Sequence, residues 1–148
     1  VSRDWLIAGP AANVMLSGAG GSTGGYETSA LALGLASAAI NFLAGESAKR
    51  TELTAAHDAL AQEHSDLVDD LLALVRGESR CTKESIRQRA NTFVLRAAQA
   101  ALSAAKGTGY VAGHPAGRWC REALFFLVWS CPQPVAAANL CELAGIAD

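Results

Sequence analysis

Charge is scarce in this chain: Asp, Glu, Lys and Arg make up 18% of 148 residues, the formal net charge is -2, and no block of Lys and Arg occurs. That excludes the electrostatic footprint of a DNA, RNA or anionic-membrane binder. Cysteine is sparse as well. Cys81, Cys120, Cys131 and Cys141 form no C-x-x-C pair, and a chain that is 51% hydrophobic buries a core without covalent staples. The thiols are expected to be reduced, in a cytoplasmic protein. No basic stretch followed by an apolar one opens the chain, so no signal peptide is read, and Val rather than Met at position 1 predicts a fragment or processed chain. G-x-S-x-G is missing, and every candidate partner for a Ser-His-Asp or Cys-His set falls on a different predicted helix. His57 and His64 share one predicted helix near Asp58 and Glu63, but neither has a Glu three residues before it, the spacing of di-iron bundle sites. They read as surface histidines, and no metal is expected.

What the chain does contain is Ala, Leu and helical periodicity. Residues 1–25 carry two short apolar runs, Trp5 to Ala8 and Val14 to Leu16, then the cluster Gly18-Ala-Gly-Gly-Ser-Thr-Gly-Gly25. The cluster has neither a following Lys-Ser/Thr pair nor the G-x-G-x-x-G order after a firm strand, so it reads as a strand or loop followed by a linker. From Thr28 to about Lys49 the pattern is apolar nearly all round, with Leu31, Leu35, Ala38 and Phe42 on one stripe and Leu33, Ile40 and Leu43 on another. The uncharged stretch Thr28 to Gly45 approaches the ~20 residues of a bilayer span. Its Ser29, Gly34, Ser37 and Asn41 favour a buried core helix instead.

A long half-exposed helix is predicted from about Thr51 to Arg76, stopped by Gly77. A third is capped by Thr82 and presents Ile86, Ala90, Phe93, Ala97, Ala101 and Ala105. A fourth runs from about Pro115 to Trp129 with Trp119, Ala123, Phe126 and Leu127 inward, and a short helix follows over about Val135 to Ala144. Four apolar stripes joined by short connections predict an all-α fold, an antiparallel four-helix bundle over 26–148 with a short extra C-terminal helix. Residues 1–25 are then an irregular or β segment.

Three separated segments together resemble the C-terminal domain of acyl-CoA dehydrogenases. Ala32-Leu-Gly-Leu-Ala36 is followed, sixteen residues after Gly34, by Arg50. Gly107-Thr-Gly-Tyr110 resembles the family's Gly-Gly-x-Gly-Tyr turn, with Lys106 in place of the first Gly. Pro115 through Arg118 to Arg121-Glu-Ala123 resembles Pro-x-x-(Arg/Lys)-x-x-Arg-Asp-Ala. The resemblance spans roughly Gly24 to Cys131 and makes residues 1 to 23 the end of a preceding β-domain. It implies FAD as cofactor, Arg50 at the pyrophosphate, and Gly107, Thr108 and Gly109 against the flavin nucleotide, in a homodimer or homotetramer built on the bundle, with acyl-CoA as a candidate partner.

The departures are specific. The family's catalytic Glu falls on Ser130, which cannot serve as a carboxylate base. Its flavin-contacting Gln falls on Ser103, and the Phe after its pyrophosphate Arg falls on Leu53. Some members carry the base on the first helix of the bundle, where Glu27 lies about one turn from the position. The resemblance thus implies one of two things. Either this is part of an FAD-dependent α,β-dehydrogenase of acyl-CoA, inactive by itself, or it is a non-catalytic bundle kept as an oligomerisation or interaction module.

Overall fold

A computed structural model describes residues 26–78 and 80–146. Among them are five α-helices and no strand: α1 (Tyr26–Ser47), α2 (Thr54–Val75), α3 (Lys83–Ala105), α4 (Pro115–Val128) and α5 (Gln133–Leu143). Short 3-10 turns at Thr51–Leu53 and Lys106–Tyr110 lead out of α1 and α3. The expected β or loop character of the first 25 residues lies outside the described residues.

Local chemistry sets the helix ends. Ser85 N–H donates to Thr82 Oγ1 at 3.0 Å, so Thr82 caps α3 as its position predicts. Gly77, at φ +81°, ends α2 in a Schellman motif: Glu78 N–H donates to the Ala73 carbonyl at 2.9 Å and Gly77 N–H to that of Leu74 at 3.0 Å. α4 starts with Pro115 in its first turn, where the missing N–H costs nothing, and His114 Nδ1 accepts from Ala116 N–H at 3.2 Å.

The most extensive helix contact is between α1 and α3, which run in the same direction. Small residues make this close approach feasible: Ala32, Ala36 and Ala39 of α1 and Ala90, Ala97 and Ala101 of α3 are all buried. α2 and α4 flank the pair and run the opposite way. Arg89 of α3 donates to Asp70 of α2 at 2.6 Å, and Arg96 reaches Glu63 two turns further on. On the other side Cys120 Sγ donates to the Ala98 carbonyl at 3.3 Å, while Phe42 of α1 packs edge-on to Trp119 of α4 with ring centroids 5.9 Å apart. α5 packs on α3 and more lightly on α4.

One of the two apolar stripes of α1 is less buried than expected for a core helix. Leu31 is 64% exposed, and Leu35, Ala38 and Phe42 are only partly buried, whereas Leu33, Ile40 and Leu43 lie in the core. α1 is long and apolar enough to cross a membrane by length and composition, and 44% of its most apolar window is buried in the fold. His64 is not a surface histidine. Its Nε2 lies 3.0 Å from the Leu33 carbonyl and its ring leans on Phe93, which ties the middle of α2 to α1.

Candidate functional site

Alternation of helix direction sorts the sequence-predicted site residues between two ends of the molecule. The end where α1 and α3 finish holds Arg50, Gly107, Thr108 and Gly109. The end where α1 begins and α4 finishes holds Glu27 and Ser130. At ~1.5 Å rise per residue, the 22 residues of α1 separate the two by about 33 Å.

Arg50 lies 54 positions before Ala104, yet its Nη2 donates to the Ala104 carbonyl in the last turn of α3. The 3-10 turn that carries the glycines begins two residues later. Two of the three segments of the family-like pattern therefore lie near one another. The same Nη2 donates to Glu46 Oε2 at 2.7 Å, while Nε and Nη1 have no partner among the described residues. Hydrogen bonds from Lys49 and then Arg50 hold the Glu46 carboxyl below the usual carboxylate range, so it stays ionised at neutral pH and competes with any incoming anion.

The three turn residues are not alike. Gly107 is exposed, and a Cβ there would meet nothing within 4 Å, so its backbone is open to a ligand. Thr108 turns its hydroxyl back to the Ala105 carbonyl. Gly109 is buried, and a Cβ on it would lie 2.5 Å from Leu102 Cδ1 and 3.1 Å from Ala105 Cβ. Its small size serves packing of the turn against α3. Beside the turn is a groove of about 370 Å³, lined among others by Gly109, Tyr110, His114, Arg118 and Arg121. The third segment thus meets the second there and brings two guanidinium groups. Arg118 is shared with Glu122 at 3.5 Å, and Arg121 has no ion-pair partner among the described residues.

This end suits an anion at Arg50, Gly107 and the Arg118–Arg121 groove, and less so at Thr108 and Gly109, whose groups are already engaged. Multiply charged phosphates favour such a set, since guanidinium forks bind them through paired N–H groups.

At the far end Glu27 is exposed in the first turn of α1, and Ser130 follows α4 with φ +46°. The Phe42–Trp119 pair and the opposite directions of α1 and α4 put Glu27 and Ser130 at the same end of the molecule. Burial pushes the Cys81 and Cys120 thiols up, so both stay protonated and poorly nucleophilic at neutral pH. All four cysteines are free. No cluster of three His, Cys, Asp or Glu side chains that could hold a metal ion occurs among the described residues.

Sequence reasoning missed Arg87, which is 1% exposed, Asn139, which is 4% exposed, and Gly117, whose Cβ would strike the Gly109 carbonyl oxygen at 2.6 Å. Only Gly117 carried a local signal, a glycine in a helical first turn where an alanine fits the propensity better.

Fold and site together define a helical bundle over the described residues, with an arginine-bearing glycine turn at one end. Comparison with known protein families, curated proteins and solved structures gives no match.

Proposed function

We propose that the chain is the helical part of an acyl-CoA dehydrogenase-like flavoprotein, and that it does not complete FAD-dependent α,β-dehydrogenation of acyl-CoA by itself. The observation that supports this most is the hydrogen bond of Arg50 to Ala104, just ahead of the Gly107-bearing turn, which brings near one another two segments the resemblance links and that lie far apart in the chain. Bound FAD would supply the two-electron acceptor. Arg50, through Nε and Nη1, and the open backbone at Gly107 would hold its pyrophosphate, with Arg118 and Arg121 adding positive charge nearby. Glu27 would be the substitute base where Ser130 has no carboxylate to offer; about 33 Å from Arg50 along α1, it would act on flavin held by the Arg50 end of a second copy in the homodimer or homotetramer.

A second reading, a non-catalytic oligomerisation module, draws support from Ser130 and from apolar residues left in water. Phe125, Val128 and Trp129 of the α4 end and Leu140 and Leu143 of α5 are 43% to 79% exposed. Under either reading a homodimer or homotetramer would cover them.

The test is titration with FAD, followed by flavin fluorescence and the visible spectrum. The expected result is weak binding that falls about tenfold in Arg50→Lys and tightens in Glu46→Gln, which frees the guanidinium without deleting it. Bleaching of bound flavin by acyl-CoA, lost in Glu27→Gln, would assign the base. A protein that stays colourless, with both variants indistinguishable from the parent, overturns the flavoprotein reading and leaves the module.

A further inference from the structure

Four thiols, all free and partly exposed, offer a comparison among chemically identical groups. Burial keeps Cys81 and Cys120 in the neutral form, and Cys120 Sγ donates to the Ala98 carbonyl. Cys141 stands in the last turn of α5, at the carbonyl-rich and partly negative end of that helix. Cys131 has the opposite setting. It lies between α4 and α5, just ahead of the α5 start, where among the described residues no side chain caps the helix and no acidic residue occupies the first turn. The N–H groups of such a helix start are partly positive and lack intrahelical partners.

A second positive group reaches the same place from α3. Arg87 Nη2 donates to the carbonyl of Trp129, two residues before Cys131, at 2.9 Å. Burial lowers the Arg87 pKa and the Cys131 side chain beside it raises it, the mark of an anion-forming group close to the guanidinium. Arg87 is 1% exposed, and its Nη1 has no hydrogen-bond partner among the described residues. Folded proteins rarely leave a buried donor unsatisfied, and one that is closed to solvent takes its acceptor from the protein's own side chains. An oxygen on Cys131 Sγ would supply the acceptor that the bare sulfur does not. Reactive thiols occur in partly exposed, electropositive surroundings of this kind, because the thiolate is the nucleophile.

We propose that Cys131 is a modification site, at which a thiolate set beside Arg87 reacts with hydrogen peroxide to give a sulfenic acid whose oxygen accepts from the free Arg87 N–H. Sγ attacks one peroxide oxygen, the O–O bond breaks, and the sulfur gives up two electrons. The departing hydroxide becomes water with the proton that the thiol released. The experiment treats the full chain with limiting hydrogen peroxide, traps sulfenic acid with dimedone and follows the peptide of each cysteine by mass spectrometry. Cys131 should be labelled about tenfold faster than Cys141. Arg87→Met should slow Cys131 about tenfold and leave Cys81 and Cys120 unchanged, whereas a loosened bundle would speed those two. Arg87→Lys, which keeps the charge, should restore most of the rate. Labelling of Cys131 no faster than that of Cys141, at both high and low protein concentration, overturns the proposal, as does an unchanged Cys131 rate in a folded Arg87→Met variant. If Arg87→Met does not fold, the comparison of Cys131 with Cys141 decides. No flavin enters the measurement, so this site and the Arg50 end succeed or fail separately.

Discussion

At Arg87 the chain buries a cation with no carboxylate beside it. Nε donates to Asn91 Oδ1 at 3.1 Å, and Nη2 donates to the Trp129 carbonyl at 2.9 Å and more loosely to that of Phe126 at 3.5 Å. Burial lowers its pKa and the neighbouring Cys131 raises it, yet a guanidinium stays charged in either case. Arg87 therefore serves as the C-terminal cap of α4, supplied from another helix to carbonyls that have no intrahelical donor. Arg87→Met keeps the length and apolar stem but strands those carbonyls and the Asn91 amide. The expected loss is about 2–4 kcal/mol, read as a lower urea midpoint at unchanged slope; an unchanged midpoint would show that packing of the stem is all that matters. Thr82 was legible in the sequence because a cap acts over three residues. Arg87 was not, since it adjoins the apolar stripe at Ile86 and Ala90 and its carbonyl partners lie 39 and 42 positions away.

Among the elements, the turn Lys106–Tyr110 and the start of α4 form one packed unit. Gly117 of α4 rests on the main chain of Gly109, and Gly109 rests on the Leu102 side chain. Gly117→Ala gains about 1 kcal/mol of helix propensity and meets a carbonyl oxygen that cannot rotate away. The collision dominates, and the variant should lose about 1–3 kcal/mol net. Gly109→Ala meets the flexible end of Leu102 and should lose less. Thermal melts of the two variants check the order, and equal melting temperatures would contradict it. Sequence spacing located every helix to within a few residues but gave no sign that Gly109 packs against Leu102 and Ala105. It did not tell which side of α1 is exposed. That helix is apolar nearly all round, so periodicity alone has no contrast by which to choose a side. The choice falls to α3, whose alanine face admits Ala32, Ala36 and Ala39 and leaves Leu31 in water.

For the molecule as a whole, the proposed self-association follows from the apolar groups at α4 and α5. Phe125 and Trp129 stack with centroids 5.2 Å apart while both remain over 40% exposed, so the pair offers a flat aromatic surface. Light scattering at micromolar concentration should give a dimer or tetramer, and Val128→Glu, at a position 79% exposed, should shift it to monomer without loss of helicity. A monomer in the parent chain would exclude this surface as an interface.

The parallel run of α1 and α3 has an electrostatic consequence. Two helices pointing the same way bring their carbonyl-rich, partly negative ends together, each equivalent to about half an electron charge. Arg50 stands between those ends, its own backbone N–H on the Ser47 carbonyl of α1 and its guanidinium on the Ala104 carbonyl of α3. It works as a counterion for the paired dipoles before any phosphate arrives. Deleting it would set two like poles against each other, so a bundle that had abandoned redox chemistry would still have a reason to keep an arginine at this position.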